Sequence, residues 1–265
     1  KTSRLYCWQM KLGFIGTGKI ASSVITGISK SKISYKKIVI SPRNRSISQK
    51  LKRQFKKVSI AKNNQEIASS CNWVFLAVTP PVGHKIIKDL KFRSSQTIVS
   101  FISTITLPQL KKAIKVKAKI VRAIPLPPIS LRKGPVPIFP PNKKVKNFFN
   151  KLGTTVEIGN EKLSKNFWAT SGMYASFYEL LSTMSNWLVK RGIKRDKAQK
   201  YITSLFVALS ENAIVNSKKD LKHLVKDSQT PRGLNEQGVK ELRKAGFYRS
   251  TEKTLNSILK RLNKV

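Results

Sequence analysis

The sequence predicts an α/β chain in which a doubly wound parallel sheet comes first and an all-helical unit follows. Three observations predict it. Short apolar runs alternate with amphipathic stretches of helix length through the first 125 residues, a glycine turn follows the first of those runs, and after Lys162 the strand pattern gives way to helical spacing. A chain of 265 residues that is 40% hydrophobic can bury a medium core plus a smaller helical unit, so two domains are expected.

The elements follow in order. Leu12 to Ile15 reads as a strand, Lys19 to Ser29 as a helix, Lys37 to Ile40 as a strand, Ser46 to Phe55 as a helix and Val58 to Ile60 as a short strand. A short helix near Gln65 to Ser69, a strand from Trp73 to Val78, a helix near Val82 to Leu90 and a strand from Thr97 to Ile102 continue the alternation. Leu107 to Ile114 is a helix and Lys119 to Ile124 a strand. The segment from Pro125 to Pro141 holds seven prolines, which excludes a regular helix and predicts a loop with edge-strand pieces. A helix at Lys144 to Leu152 and a strand at Thr155 to Ile158 would close the sheet. Beyond them, Phe167 to Lys190 is expected as one long helix, Asp196 to Asn216 as another, and Asp220 to Val225, Asn235 to Ala245 and Thr251 to Leu262 as three more. The stripe from Tyr174 to Leu188 reads as domain or dimer core rather than a ligand box.

Residues 1–9 carry Lys1, Arg4, Cys7 and Trp8 but neither the apolar stretch nor the cleavage site of a signal peptide. They are expected to be a disordered extension, with a dinucleotide domain over 10–160 and a helical domain over 161–265. No apolar run approaches the roughly 18 residues of a membrane span. Cys7 and Cys71 are the only cysteines, too few for a disulfide framework or metal cluster, and a cytoplasmic location is expected. His84 and His223 lack Cys or carboxylate neighbours at ligand spacing, so no metal site is expected.

Charge is the unusual feature. Lys plus Arg number 53 against 12 Asp plus Glu, a net of +41, and residues 1–150 hold 31 basic side chains but only Glu66 and Asp89 as acids. Such a field would attract nucleic acid without regard to sequence. The lysines are dispersed over every expected helix rather than gathered on one face, which argues against that partner and for a general bias of composition. Either way, anionic small molecules are drawn in. The scarcity of acids has no explanation in the sequence.

Gly16, Thr17, Gly18, Lys19, Ile20 and Ala21 form a dinucleotide fingerprint with a small third position. The first glycine allows the tight turn, the second lets backbone approach a pyrophosphate, and Ala21 permits close helix-to-strand contact, as in a Rossmann-type domain. The helix that follows aims its N-terminal N–H groups at the phosphates. After the second strand come Ser41, Pro42, Arg43, Asn44, Arg45 and Ser46, with no carboxylate for a ribose 2′-hydroxyl. Guanidinium groups and hydroxyls there suit a 2′-phosphate, so NADPH is the expected cofactor, with NADH as the open alternative.

With these residues placed, the chain resembles the pyrroline-5-carboxylate reductase family from Lys11 to near the C-terminus. Gly13 to Ala21 is similar to the family's opening; Asn64 with Glu66 resembles the segment before its fourth strand; Phe75 to Pro80 resembles its Ala-Val-Lys-Pro motif, with Thr79 in place of Lys. Ser100 to Thr106 matches the next strand and turn, with Ser103 and Thr104 where the family has Ala-Gly, and Arg122 to Pro128 resembles Arg-Val-Met-Pro-Asn-Thr-Pro. Ser171-Gly172 with Ala175 is similar to Gly-Ser-Gly-Pro-Ala, and Thr230 to Asn235 sits where Ser-Pro-Gly-Gly-Thr-Thr is found. The resemblance implies NADPH-dependent reduction of a cyclic imine, 1-pyrroline-5-carboxylate to L-proline in proline biosynthesis. It also implies a helical dimerisation domain that interlocks two subunits, hence a homodimer or larger homo-oligomer. The expected cofactor contacts are Gly16, Thr17, Gly18, Lys19, Ile20, Ser41, Arg43, Arg45, Asn64, Ala77, Val78, Thr79, Pro80 and Ser103.

The departures fall on substrate-facing positions. The family's double Thr becomes Leu234 and Asn235, and its Asn-Thr becomes Leu126 and Pro127. Ser171 and Thr230, each at an expected helix start, and Asn235 are the candidates for substrate hydrogen bonds, with ordinary helix capping as the competing role for the first two. The other readings are a related NAD(P)H-dependent imine or carbonyl reductase with a different substrate, and a catalytically inactive basic nucleic-acid-binding protein on the same fold.

Overall fold

The protein is described here by a computed structural model covering residues 10–264, so the extension expected at 1–9 lies outside the described residues. The chain divides into two compact units, one ending at Ser164 and the other running from Lys165 to the C-terminus.

The first unit is built on an eight-stranded sheet: β1 (Lys11–Ile15), β2 (Lys37–Ile40), β3 (Val58–Ile60), β4 (Trp73–Leu76), β5 (Thr97–Ser100), β6 (Lys119–Ala123), β7 (Pro135–Phe139) and β8 (Thr154–Glu157). Their order is β3-β2-β1-β4-β5-β6-β7-β8, parallel throughout except for the antiparallel pair β6–β7. The strands bury both faces, which is why they read as continuous apolar runs. Alternate residues feed two cores. Leu12, Phe14, Ile38, Ile40, Trp73 and Phe75 point to one side, where α1 (Lys19–Ser29), α2 (Arg45–Gln54) and α6 (Lys143–Phe149) pack. Ile15, Val39, Val74, Leu76 and Ile98 point to the other, covered by α3 (Asn64–Ser70), α4 (Pro80–Asp89) and α5 (Leu107–Ile114). Phe14 stacks on Phe75 with ring centroids 4.4 Å apart, fixing β1 beside β4.

The proline-rich segment differs from the expectation of an edge piece. β7 lies inside the sheet between β6 and β8. It tolerates Pro135 and Pro137 because the carbonyl of Pro137 accepts from Ile124 N at 3.2 Å and so faces β6. The donor that Pro137 lacks therefore also faces that side, where the ladder of Arg122 and Ala123 with β7 ends at the Ile124 bond. Pro127 and Pro128 occupy the first two positions of a 3-10 turn (Pro127–Leu131), where no helical donor is required.

The second unit is helical: α7 (Ser164–Ser171), α8 (Tyr174–Val189), α9 (Arg195–Val215), α10 (Lys222–Asp227), α11 (Leu234–Lys244) and α12 (Phe247–Asn263). The long helix expected over Phe167 to Lys190 is in fact two. It breaks at Gly172, whose N–H is shared between Trp168 O and Ala169 O, and whose missing Cβ leaves room for Ile258 of α12, 3.1 Å from where that atom would stand. This unit buries few apolar side chains and leaves Phe177, Trp187, Tyr201, Leu209 and Ile214 exposed. No helix among the described residues is long and apolar enough to cross a membrane.

Candidate functional site

The carboxyl ends of β1, β2 and β4 surround the point where strand order reverses, the place where open parallel sheets bind ligands. A groove of about 480 Å³ lies there, lined by Gly16, Thr17, Gly18, Arg43, Asn44, Arg45, Ala77, Val78, Thr79 and Val82.

Gly16 has φ 98, a left-handed value, and a Cβ on it would stand 2.6 Å from Ala77 O, so both conformation and space require glycine. Gly18 caps α1 with no side-chain bond, and a Cβ there would meet nothing within 4 Å. The backbone N–H groups of Lys19 and Ile20, at the first turn of an eleven-residue helix with no acid in that turn, are thus left for an anion. Thr17 is turned inward: its hydroxyl lies 3.5 Å from Ser41 O and 3.3 Å from Ser48 Oγ, tying the turn to the end of β2.

Across the groove, Arg43 and Arg45 flank Asn44, whose side chain accepts from Ile47 N and starts α2. Ser41 is 2% exposed and donates its hydroxyl to Asn64 Oδ1 at 2.8 Å, so these two candidates engage each other instead of lining the groove. The strand expected to run to Val78 stops at Leu76, which frees Ala77, Val78 and Thr79 to form the far wall; Thr79 then caps α4, and Pro80 occupies its first position. No acid occurs between Met10 and Gln65 and none lines the groove, whose charged side chains are the guanidinium groups of Arg43 and Arg45. These donors and guanidinium groups fit a nicotinamide dinucleotide phosphate.

Ser103 lies outside the groove lining, and its carbonyl accepts from Arg122 Nη2 at 2.6 Å. Arg122, 3% exposed on β6, also pairs with Glu161, and the same carboxylate oxygen accepts from Leu107 N at 2.8 Å. Burial pulls the Arg122 guanidinium below its usual range while the Glu161 partner raises it.

In the helical unit, Ser171 is the last residue of α7 rather than a helix start, and its hydroxyl donates to Phe167 O at 3.0 Å, because the break at Gly172 ends the helix there. Thr230 does not start a helix either. Gly233 is the N-cap of α11, and Gly233 N donates to Thr230 O at 2.8 Å. Asn235 Nδ2 donates to Ser228 O at 2.8 Å. Thr230 lines a cavity of about 410 Å³ with Lys222, Lys226, Arg243 and Glu236. Arg232 holds φ 62 where the resembled motif has glycine, and its N–H donates to Glu236 Oε2 at 2.7 Å.

Three site features escape sequence reading. Asn44 and Val82 line the groove, and Glu161 anchors Arg122. Asn44 was findable, as an Asn immediately before a helix. An Arg inside the apolar strand Lys119 to Ile124 signals a buried partner, although nothing in the sequence names Glu161.

Two family models match in succession. Residues 11–104 match the family described as NADP oxidoreductase, coenzyme F420-dependent, and residues 161–265 match pyrroline-5-carboxylate reductase dimerisation. The chain is similar to pyrroline-5-carboxylate reductase 3 of Danio rerio, 26% identical over 91% of this chain and 86% of the relative. It is also similar to pyrroline-5-carboxylate reductase of Escherichia coli K12, 22% identical over 97% and 98%. Its fold matches the crystal structure of Plasmodium falciparum pyrroline carboxylate reductase with NADP bound, with TM-score 0.80, 21% identity and coverage of 96% and 97%.

A doubly wound sheet with an open glycine turn at its switch point, followed by a helical dimerisation unit, defines an oxidoreductase of the nicotinamide-dependent class that assembles as a homo-oligomer. Within that class, the chain is similar to the pyrroline-5-carboxylate reductases over nearly its whole length, and residues 161–265 match that family's dimerisation model.

Proposed function

We propose that this protein reduces a cyclic imine with NADPH, converting 1-pyrroline-5-carboxylate to L-proline, as a cytoplasmic homodimer or larger homo-oligomer. The observation that carries the reading is the acid-free groove in which Gly16 and the uncapped start of α1 face Arg43 and Arg45. The relatives named above support the substrate.

When bound, NADPH supplies the hydride that the C=N carbon accepts, and a proton completes the amine. The chain's own work is positioning. The turn at Gly16 to Gly18 with the N–H groups of Lys19 and Ile20 holds the pyrophosphate, Arg43 and Arg45 hold the 2′-phosphate, and Ala77 to Thr79 carry the far side of the cofactor. For substrate, Ser171, Thr230 and Asn235 are the proposed contacts. Ser171 and Asn235 each spend a donor on local backbone, which makes Thr230, beside Lys222, Lys226 and Arg243, the first to test for the carboxylate. The exposed apolar side chains of α8 and α9 support self-association.

The test is NADPH consumption with purified protein and 1-pyrroline-5-carboxylate. Turnover with this imine upholds the reading. Binding of NADPH without turnover on it, but with turnover on another cyclic imine, moves the assignment to a related reductase.

A further inference from the structure

Arg122 is a charged side chain inside an eight-stranded sheet, in register with Ser100 on one side and Phe139 on the other, and 3% exposed. Burying a guanidinium is costly unless charge and hydrogen bonds are answered. Here Glu161 answers the charge, the Ser103 carbonyl takes Nη2 at 2.6 Å, and the Glu161 oxygen that receives Nη1 also receives Leu107 N at 2.8 Å. The two ends of one segment, Ser103 and the first residue of α5, are thereby held by one ion pair.

That segment is a wall of the groove at one remove. Ile102 and Ile105 are buried and lie against Gly83 of α4: a Cβ on Gly83 would stand 2.9 Å from Ile102 Cδ1, 3.2 Å from Ile105 Cδ1 and 3.5 Å from Val78 Cγ2. Val78 and Val82 line the groove together with Arg43 and Arg45. Glu161 itself opens a 3-10 turn (Glu161–Leu163) that Asn160 caps, three residues before the first unit ends.

We propose that Arg122 and Glu161 are a positioning pair for the nicotinamide half of the groove. They fix the 101–106 segment, which backs the start of α4 and the Val78 wall, without touching cofactor. This inference rests on the reading of the groove as an NADPH site. It separates the pair from Arg43 and Arg45, which face the adenosine 2′-phosphate half.

The experiment titrates wild type, Glu161→Ala and Glu161→Gln with NADPH and with 2′,5′-ADP, which occupies only the adenosine half. In Glu161→Ala the NADPH Kd should rise by roughly 10-fold, the scale of one lost charge-assisted hydrogen bond, with 2′,5′-ADP affinity unchanged. Glu161→Gln keeps an oxygen for Leu107 N and should lie between that variant and wild type. Where Glu161→Ala does not fold, Glu161→Gln alone decides. Folded variants with wild-type NADPH affinity overturn the proposal, as does equal weakening of both ligands, which marks general destabilisation. A wild-type protein that binds neither ligand overturns the reading of the groove and this inference with it.

Discussion

A Cβ on Gly16 would stand 2.6 Å from Ala77 O, so the turn after β1 and the turn after β4 touch backbone to backbone. Gly16→Ala must resolve that contact while holding φ 98, which L side chains resist by about 1–3 kcal/mol. The variant should lose NADPH binding by on the order of 100-fold or more and melt at a lower temperature. Isothermal titration together with a thermal melt checks both; full affinity at Gly16→Ala would mean that phosphates bind elsewhere.

Arg43 and Arg45 face the groove from the start of α2. Replacing both with Ala should weaken NADPH by roughly 10- to 100-fold, the scale of charge-assisted bonds to a phosphate, while NADH affinity changes little. Equal loss for the two cofactors would show that these arginines act through general field rather than 2′-phosphate recognition.

Ser41 and Asn64 form a bond of 2.8 Å between the ends of β2 and the start of α3. Ser41→Ala leaves the Asn64 carbonyl without that donor and should cost about 1 kcal/mol of stability. A double-mutant cycle with Asn64→Ala should return a coupling of similar size in urea unfolding. Additive effects would reduce the pair to neighbours.

Arg232 sits at φ 62, and Glu236 accepts its N–H while pairing with Lys240 at 2.9 Å. Arg232→Gly should stabilise the protein by about 0.5–1 kcal/mol, once relief of strain is set against the greater freedom of glycine in the unfolded chain. The Lys240 hydrogen bond, then the Arg232 N–H, hold the Glu236 carboxyl below its usual range. A lowered folded pKa means the tie is present above the ordinary glutamate range and is lost as pH falls through the lowered value. The amide proton shift of Arg232, followed by NMR, should therefore titrate with a midpoint below that of an unperturbed glutamate.

Much of the first unit was legible because both of its signals are local. Strands buried on two faces must be apolar runs, and a turn that approaches phosphate must be glycine, so β1, α1 and Gly16 to Gly18 stand where expected. The misreadings came from long-range causes. Pro135 and Pro137 look like edge residues until they are seen to lie where the ladder between β6 and β7 runs out, and the run from Phe167 to Lys190 looks like one helix until Ile258, far along the chain, fills the space beside Gly172.

The sequence by itself determined the order of the sheet's elements, the glycine turn after β1 and the absence of a carboxylate after β2, since each depends on residues adjacent in the chain. Only the tertiary structure decided which candidates share the groove. It turned Ser41 and Asn64 toward each other, gave Ser103 to Arg122, brought in Asn44 and Val82, and joined Arg122 to Glu161. The physical reason is that a buried polar group takes whichever partner packing brings within reach, and that partner is set by sheet order rather than by neighbours in sequence.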